Sequence, residues 1–240
     1  MTKEKKSKAL KLNGFWAQVQ RYNYRQAFEK ILFTMIGLWL ALWLNNVNDH
    51  WKRNRDEKQI LRQLDAALKQ DLDDIKETIV GYQYRVDGAS TILNSLGAAS
   101  KMTDTLRSAL QSLNGYSFLS ANKGAYETLK SRGMDLIRND TLRLRIASLY
   151  EVDYLITERS EAFFQKIYCE QFIPYIFTNL TWAKAGLDPV DWEKARNDNY
   201  FRQMVIGALY NNQNILGLYK QLQKDVRTLS EDIQEDLDFL

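Results

Sequence analysis

The chain has 240 residues, 45% of them apolar and 26% charged, which suits a packed core and argues against disorder. Eleven Gly and two Pro are too few breakers for a turn-rich β protein, so the composition favours long helices. One Cys, Cys169, excludes an internal disulfide; one His, His50, speaks against His-rich zinc sites; and a net charge of +3 gives no mandate for nucleic acid.

Residues 1–26 read as a basic cytoplasmic or juxtamembrane segment suited to an anionic headgroup region, with an ordinary solvated basic arm as the equal alternative. It carries Lys3, Lys5, Lys6, Lys8 and Lys11, with Phe15, Trp16, Val19, Tyr22 and Tyr24 further along. From Ile31 to Leu44 the chain reads ILFTMIGLWLALWL, with Thr34 the only polar side chain. Extended to 27–47 the run has 21 residues. At a rise of about 1.5 Å per residue it matches a hydrocarbon core of roughly 30 Å. A buried core helix would show a polar face, and a cleaved signal peptide would end in small residues. The run has neither, so it reads as an uncleaved anchor in a lipid bilayer.

Glu29 lies where the helix enters the bilayer. It is a candidate ion or proton site, against a simpler role in the first helical turn facing the helix dipole. Gly37 and Ala41, four apart, would let two anchors approach closely. Trp39, Trp43 and Trp51, with Asn45, Asn46 and Asn48, read as the interfacial belt and collar at the exit. Asp49 and His50 are adjacent, about 100° apart on a helix, and poorly placed to share a metal. Lys and Arg number eight on the N-terminal flank (Lys3 to Lys30) and five on the other (Lys52 to Arg62). That bias favours a cytoplasmic N-terminus, with 48–240 as a helical extramembrane domain.

Beyond the anchor, Ile60, Leu61, Leu64, Leu68, Leu72, Ile75 and Ile79 form one helical stripe over about 48–81, with nothing to break it from the anchor. Asp71, Asp73, Asp74 and Glu77 read as its solvated face, paired in part with Lys69 and Lys76. The pattern predicts shorter helices near 83–98, 103–113 and 122–132, the last closed by Gly133. It then predicts a helix capped by Asn139 and running into the 170s, with Leu142, Ile146, Leu149, Val152, Leu155 and Ile156 on its apolar face. Pro174 should kink or interrupt that helix, and Asp188-Pro189 reads as the start of the next. Over 198–238, Phe201, Ala208, Ile215, Leu222 and Leu229 alternate with Val205, Asn212, Tyr219, Val226 and Ile233 in a heptad seam. An antiparallel partner for this seam is available on the same chain in the 48–81 stripe; the alternative is a seam shared between two chains, with Asn212 selecting register and stoichiometry.

Glu29-Lys30-Ile31 through Ile36-Gly37 to Asn45-Asn46-Val47-Asn48, together with Tyr126-Glu127-Thr128-Leu129-Lys130-Ser131-Arg132-Gly133, resemble a family of single-anchor bacterial membrane proteins of unknown function. That family shows an acidic residue before the anchor, an Ile-Gly step, an Asn-Asn-x-Asn exit and a Tyr-x-x-Leu-x-x-x-Gly segment. Trp39, Trp43 and Val47 depart from its pattern. The resemblance covers 27 to about 155 and implies a membrane location without an activity.

Tyr126, Leu129 and Gly133 read most simply as packing residues and a helix stop; the sharper alternative is a partner surface. No catalytic cluster, metal set or cofactor loop emerges. The expectation is an all-α protein whose transmembrane helix continues into a long-helix bundle. It would be an interaction, scaffold or sensory module of the cell envelope, in the bacterial inner membrane with a periplasmic C-terminal domain. Its partner would be an envelope protein. The alternative is a homo-oligomeric assembly or pore built on the anchor.

Overall fold

The computed structural model describes residues 24–98, 101–183 and 186–239. The basic run of residues 1–23 lies outside the described residues. Among the described residues the protein is all-α apart from one small hairpin. In chain order it comprises α1 (Tyr24–Gly97), α2 (Asp104–Ser112), α3 (Gly124–Arg132), a 3-10 turn (Met134–Leu136), α4 (Asp140–Ser148), a π turn (Leu149–Asp153) and α5 (Tyr154–Ile167). A second π turn (Tyr168–Phe172) follows, then α6 (Ile173–Asn179), β1 (Leu180–Ala183), β2 (Gly186–Pro189), α7 (Trp192–Asn197) and α8 (Asn199–Phe239). The chain divides into two compact units, Met1–Arg55 and Asp56–Leu240.

In the first unit, α1 contains the apolar run, with mean hydropathy of 1.6 in its most apolar stretch. It is the one described helix long and apolar enough to cross a membrane. Its large side chains from Phe28 to Leu44 are exposed, including Ile31, Phe33, Leu38 and Leu42.

In the second unit, α1 contributes the expected stripe. Ile60, Leu61, Leu64, Leu68 and Ile75 are buried. The break expected at 81–83 is absent, and the helix continues to Gly97. Tyr82, Val86, Ala89, Ile92 and Leu96 carry the buried stripe onward, and this packing outweighs the ~1 kcal/mol that a mid-helix glycine costs. A Cβ at Gly81 would lie 3.4 Å from Arg85 Nη1 and 3.7 Å from Ser117 Oγ, ordinary van der Waals contact, so the site would also accept an alanine.

All ten heptad positions of α8 are buried. Ser230 Oγ donates to Asp65 Oδ1 (2.6 Å), while the Tyr219 ring lies 5.6 Å from that of Tyr82. Residue numbers rise along one helix as they fall along the other, so α8 packs antiparallel to this part of α1, and the seam is covered within the chain. Asn212 is the seam's polar member. Its Nδ2 donates to Ala208 O (2.7 Å), but its buried Oδ1 has no partner among the described residues. A stranded acceptor costs about 1–3 kcal/mol. Asn212→Leu is therefore expected to stabilise the full chain in detergent by about 1 kcal/mol, or roughly 2–4 °C in Tm. A lower Tm would show that the amide is satisfied or needed in place.

Asn139 caps α4 as expected, accepting from Leu142 N (3.2 Å). Leu142, Ile146 and Leu149 are buried, but Val152, Leu155 and Ile156 are exposed. The π turn at Leu149–Asp153 is the reason. It takes up one extra residue and shifts the buried face to Tyr150, Tyr154, Thr157, Glu161 and Phe164. The second π turn directly precedes Ile173-Pro174. A proline lacks the N–H and crowds the carbonyl four residues back, and a wider turn relieves that crowding without ending the helix. Asp188-Pro189 does not start a helix. It ends β2, where Asp188 opposes Thr181 in an antiparallel pair. The helix start is Asp191, whose side chain accepts from Lys194 N (3.0 Å).

Two apolar clusters fill the second unit. One joins the 60–86 part of α1 to α3, α4, α5 and the 215–233 part of α8. The other joins the 89–96 part of α1 to α2, α6, the hairpin and the 201–208 part of α8.

Candidate functional site

The residues singled out in the apolar run all lie on α1. Glu29, Trp39, Trp43, Asn45, Asn46, Asn48 and Trp51 are exposed along it. Thr34, its one polar side chain, donates to Lys30 O (2.8 Å), satisfying its hydroxyl within the helix. Asn45 donates to Asp49 (3.1 Å) one turn on, so the collar is partly tied together. Gly37 and Ala41 are exposed, and a Cβ on Gly37 would meet nothing within 4 Å.

Tyr126 and Leu129 are buried in the first apolar cluster. The Tyr126 ring stacks on Tyr150, with centroids 4.5 Å apart and planes 1° apart. Its hydroxyl donates to Glu151 (2.8 Å), and Lys130 reaches the same carboxylate (2.9 Å). Burial, reinforced by Glu151, pushes the Tyr126 phenol above its ordinary range. Gly133 ends α3 at φ +108°, a conformation glycine adopts without a Cβ penalty.

The sequence did not reveal the polar centre of the second unit. Three carboxylates are buried there: Glu57 (1% exposed), Asp71 (0%) and Glu161 (7%). Asp71, expected on the solvated face, instead accepts from Tyr154 Oη (2.6 Å) and from Asn122 N (2.9 Å). Glu161 accepts from Tyr219 Oη and from Leu119 N (3.1 Å). Burial raises both carboxyls, against the lowering effect of these donors. Of the remaining acidic run, Asp73 pairs with Lys76 (2.8 Å), while Lys69 turns to Asp65 (2.7 Å).

These carboxylates hold the irregular segment between α2 and α3. Leu119 and Asn122 hang from Glu161 and Asp71. Ser117 O accepts from Tyr82 Oη (2.6 Å) and Ser117 Oγ from Arg85 (3.0 Å). Lys123 pairs with Glu158 (2.6 Å). A connection without its own secondary structure is thus satisfied by side chains of α1, α5 and α8. Glu57 does the same after the 3-10 turn, accepting from Arg138 N (2.8 Å) and Arg138 Nε (2.6 Å).

The signals available in sequence were weak: an Asp at an apolar step from Leu68 and Ile75, and Tyr150 and Tyr154, four apart, leading into α5. Each buried carboxylate is consumed by structural donors. Among the described residues no group of three or more His, Cys, Asp or Glu is arranged to hold a metal ion. No protein-family model, curated protein or solved structure matches this chain.

Proposed function

We propose that the protein is a single-pass, membrane-anchored interaction or scaffold module of the bacterial cell envelope. Residues 27–47 cross the inner membrane, the N-terminus is cytoplasmic, and the helical unit stands on the periplasmic side. The observation that carries this reading is the apolar run of α1, whose large side chains from Phe28 to Leu44 are exposed. About twenty such residues in a row are stable in lipid and untenable in water. The excess of Lys and Arg before the run supports the orientation, and the resemblance of 27–155 to single-anchor bacterial proteins points the same way. The helical unit supports a binding role, because its buried polar groups fix loops and helix turns and leave its outer faces to other contacts.

Topology is tested by single cysteines in a Cys169→Ser background, labelled in intact and permeabilised cells. A thiol at 120 is expected to label from the periplasm and one at 8 only after permeabilisation. The reverse pattern would overturn the orientation, and soluble full-length protein would overturn the anchor.

A second reading, assembly of anchors into an oligomer, has the bare face of Gly37 and Ala41 in its favour. Gly37→Leu should weaken anchor crosslinking in membranes if that face is used.

A further inference from the structure

The first π turn leaves α5 apolar on two faces. One faces the core through Tyr154 and Phe164. The other presents Leu155, Ile156 and Phe163, continued by Val152 of the π turn, 37–63% exposed. A helix apolar on opposite faces is ordinarily covered on both. Beside the outer face a cleft of about 340 Å³ opens between α5 and α8, with Phe163, Ile215 and Leu218 as apolar walls and Asn211 and Asn214 as polar ones.

Charge is ordered along this face. Asp153 and Asp225 stand at one end. Their mutual repulsion adds to burial in raising the Asp153 carboxyl, and neither forms an ion pair among the described residues. Arg159 and Lys166 are exposed in the middle and at the other end, also without an ion pair among the described residues. From residue 153 to 166 a helix rises about 20 Å, or between three and four turns. An anionic bilayer surface would attract the cations and repel the two aspartates, so a uniformly charged surface fits poorly. A short helix of opposite polarity satisfies both ends and the apolar middle.

We propose that this groove docks an amphipathic helix from another envelope protein. That helix carries large apolar residues at three- and four-residue steps over Phe163, Ile215 and Leu218. It has a Lys or Arg facing Asp153 and Asp225, and Asp or Glu facing Arg159 and Lys166. This rests on the interaction-module reading above and names its surface.

The test places a photo-crosslinking benzoylphenylalanine at 163 in the full chain in native membranes, with position 80, on exposed Val80, as the comparison site. The expected result is one discrete adduct from 163 whose crosslinked peptide has the stated apolar spacing with flanking carboxylates. Arg159→Glu with Lys166→Glu should cut its yield about tenfold at unchanged thermal stability, because opposed charges become like ones. No adduct from 163, an adduct with a second copy or with lipid, or a yield indifferent to the charge reversal would each overturn the proposal. Adducts from 80 but not 163 would leave the interaction-module reading standing without this surface; none from either site would remove both.

Discussion

Gly88→Leu is expected to abolish cooperative melting of the helical unit, and Gly88→Ala to cost about 2–3 kcal/mol. A Cβ at 88 would lie 1.9 Å from Ser112 Oγ, 2.7 Å from Ser112 Cβ and 3.1 Å from Ala109 O. Ser112 cannot easily yield, because it is buried and its hydroxyl donates to Ala109 O (2.6 Å). Elsewhere in a helix, glycine to alanine gains about 1 kcal/mol, so the sign of the effect reports the crossing of α1 and α2 directly. Ser112→Gly removes two of the three close contacts and should restore much of the Gly88→Ala loss. Urea unfolding of the full chain in detergent measures all three variants. A Gly88→Ala midpoint at or above the parent's would show that the helices are further apart.

The second large effect is a fall in stability as pH rises from about 4 toward neutrality. Unfolded, Asp71 and Glu161 titrate near 3.8 and 4.5; folded, burial raises both, as it does Asp153. The folded state therefore holds more protons over the window that opens at those unfolded values and closes at the raised ones. Stability is fully present below that window and declines through it. Asp65 works in the opposite sense. Burial pushes it up, but donors from Lys69, Ser230 and Gln234 bring it down overall, so its contribution is lost as pH falls. Urea midpoints between pH 4 and 8 should decline for the parent and decline less for Asp71→Asn. Asp71→Ala should cost about 3 kcal/mol near pH 4, since it strands the Tyr154 hydroxyl and the Asn122 amide, and less toward neutrality, where the parent has lost part of the Asp71 contribution. A parent profile that declines no more than that of Asp71→Asn would mean that Asp71 titrates as it does in water.

Much of this architecture is legible in the sequence because it follows from periodicity. The apolar run, the 60–79 stripe and the α8 heptads each state their helix and their buried face. The Asn139 cap and the Gly133 stop are local chemistry of the same kind. The elements that escaped are those where a neighbour overrules the local pattern. Gly81 reads as a stop, yet it lies beneath Arg85 in a helix held by tertiary packing on either side. Val152, Leu155 and Ile156 continue a regular 3.6-residue face, but one extra residue in a π turn rotates that face outward, and period alone cannot register an insertion of one. Asp188-Pro189 has the composition of a helix start, whereas pairing with Thr181 and Leu180 makes it a strand. Asp71 sits among charged residues and looks solvated; only the arrival of Tyr154 and Asn122 from distant parts of the chain supplies the donors that let a carboxylate be buried. Local sequence therefore determined where the helices lie and which faces are apolar, because those depend on neighbours three and four residues away. Tertiary structure alone decided where helices bend, which polar groups enter the core and which apolar face stays exposed, because those depend on partners from distant parts of the chain.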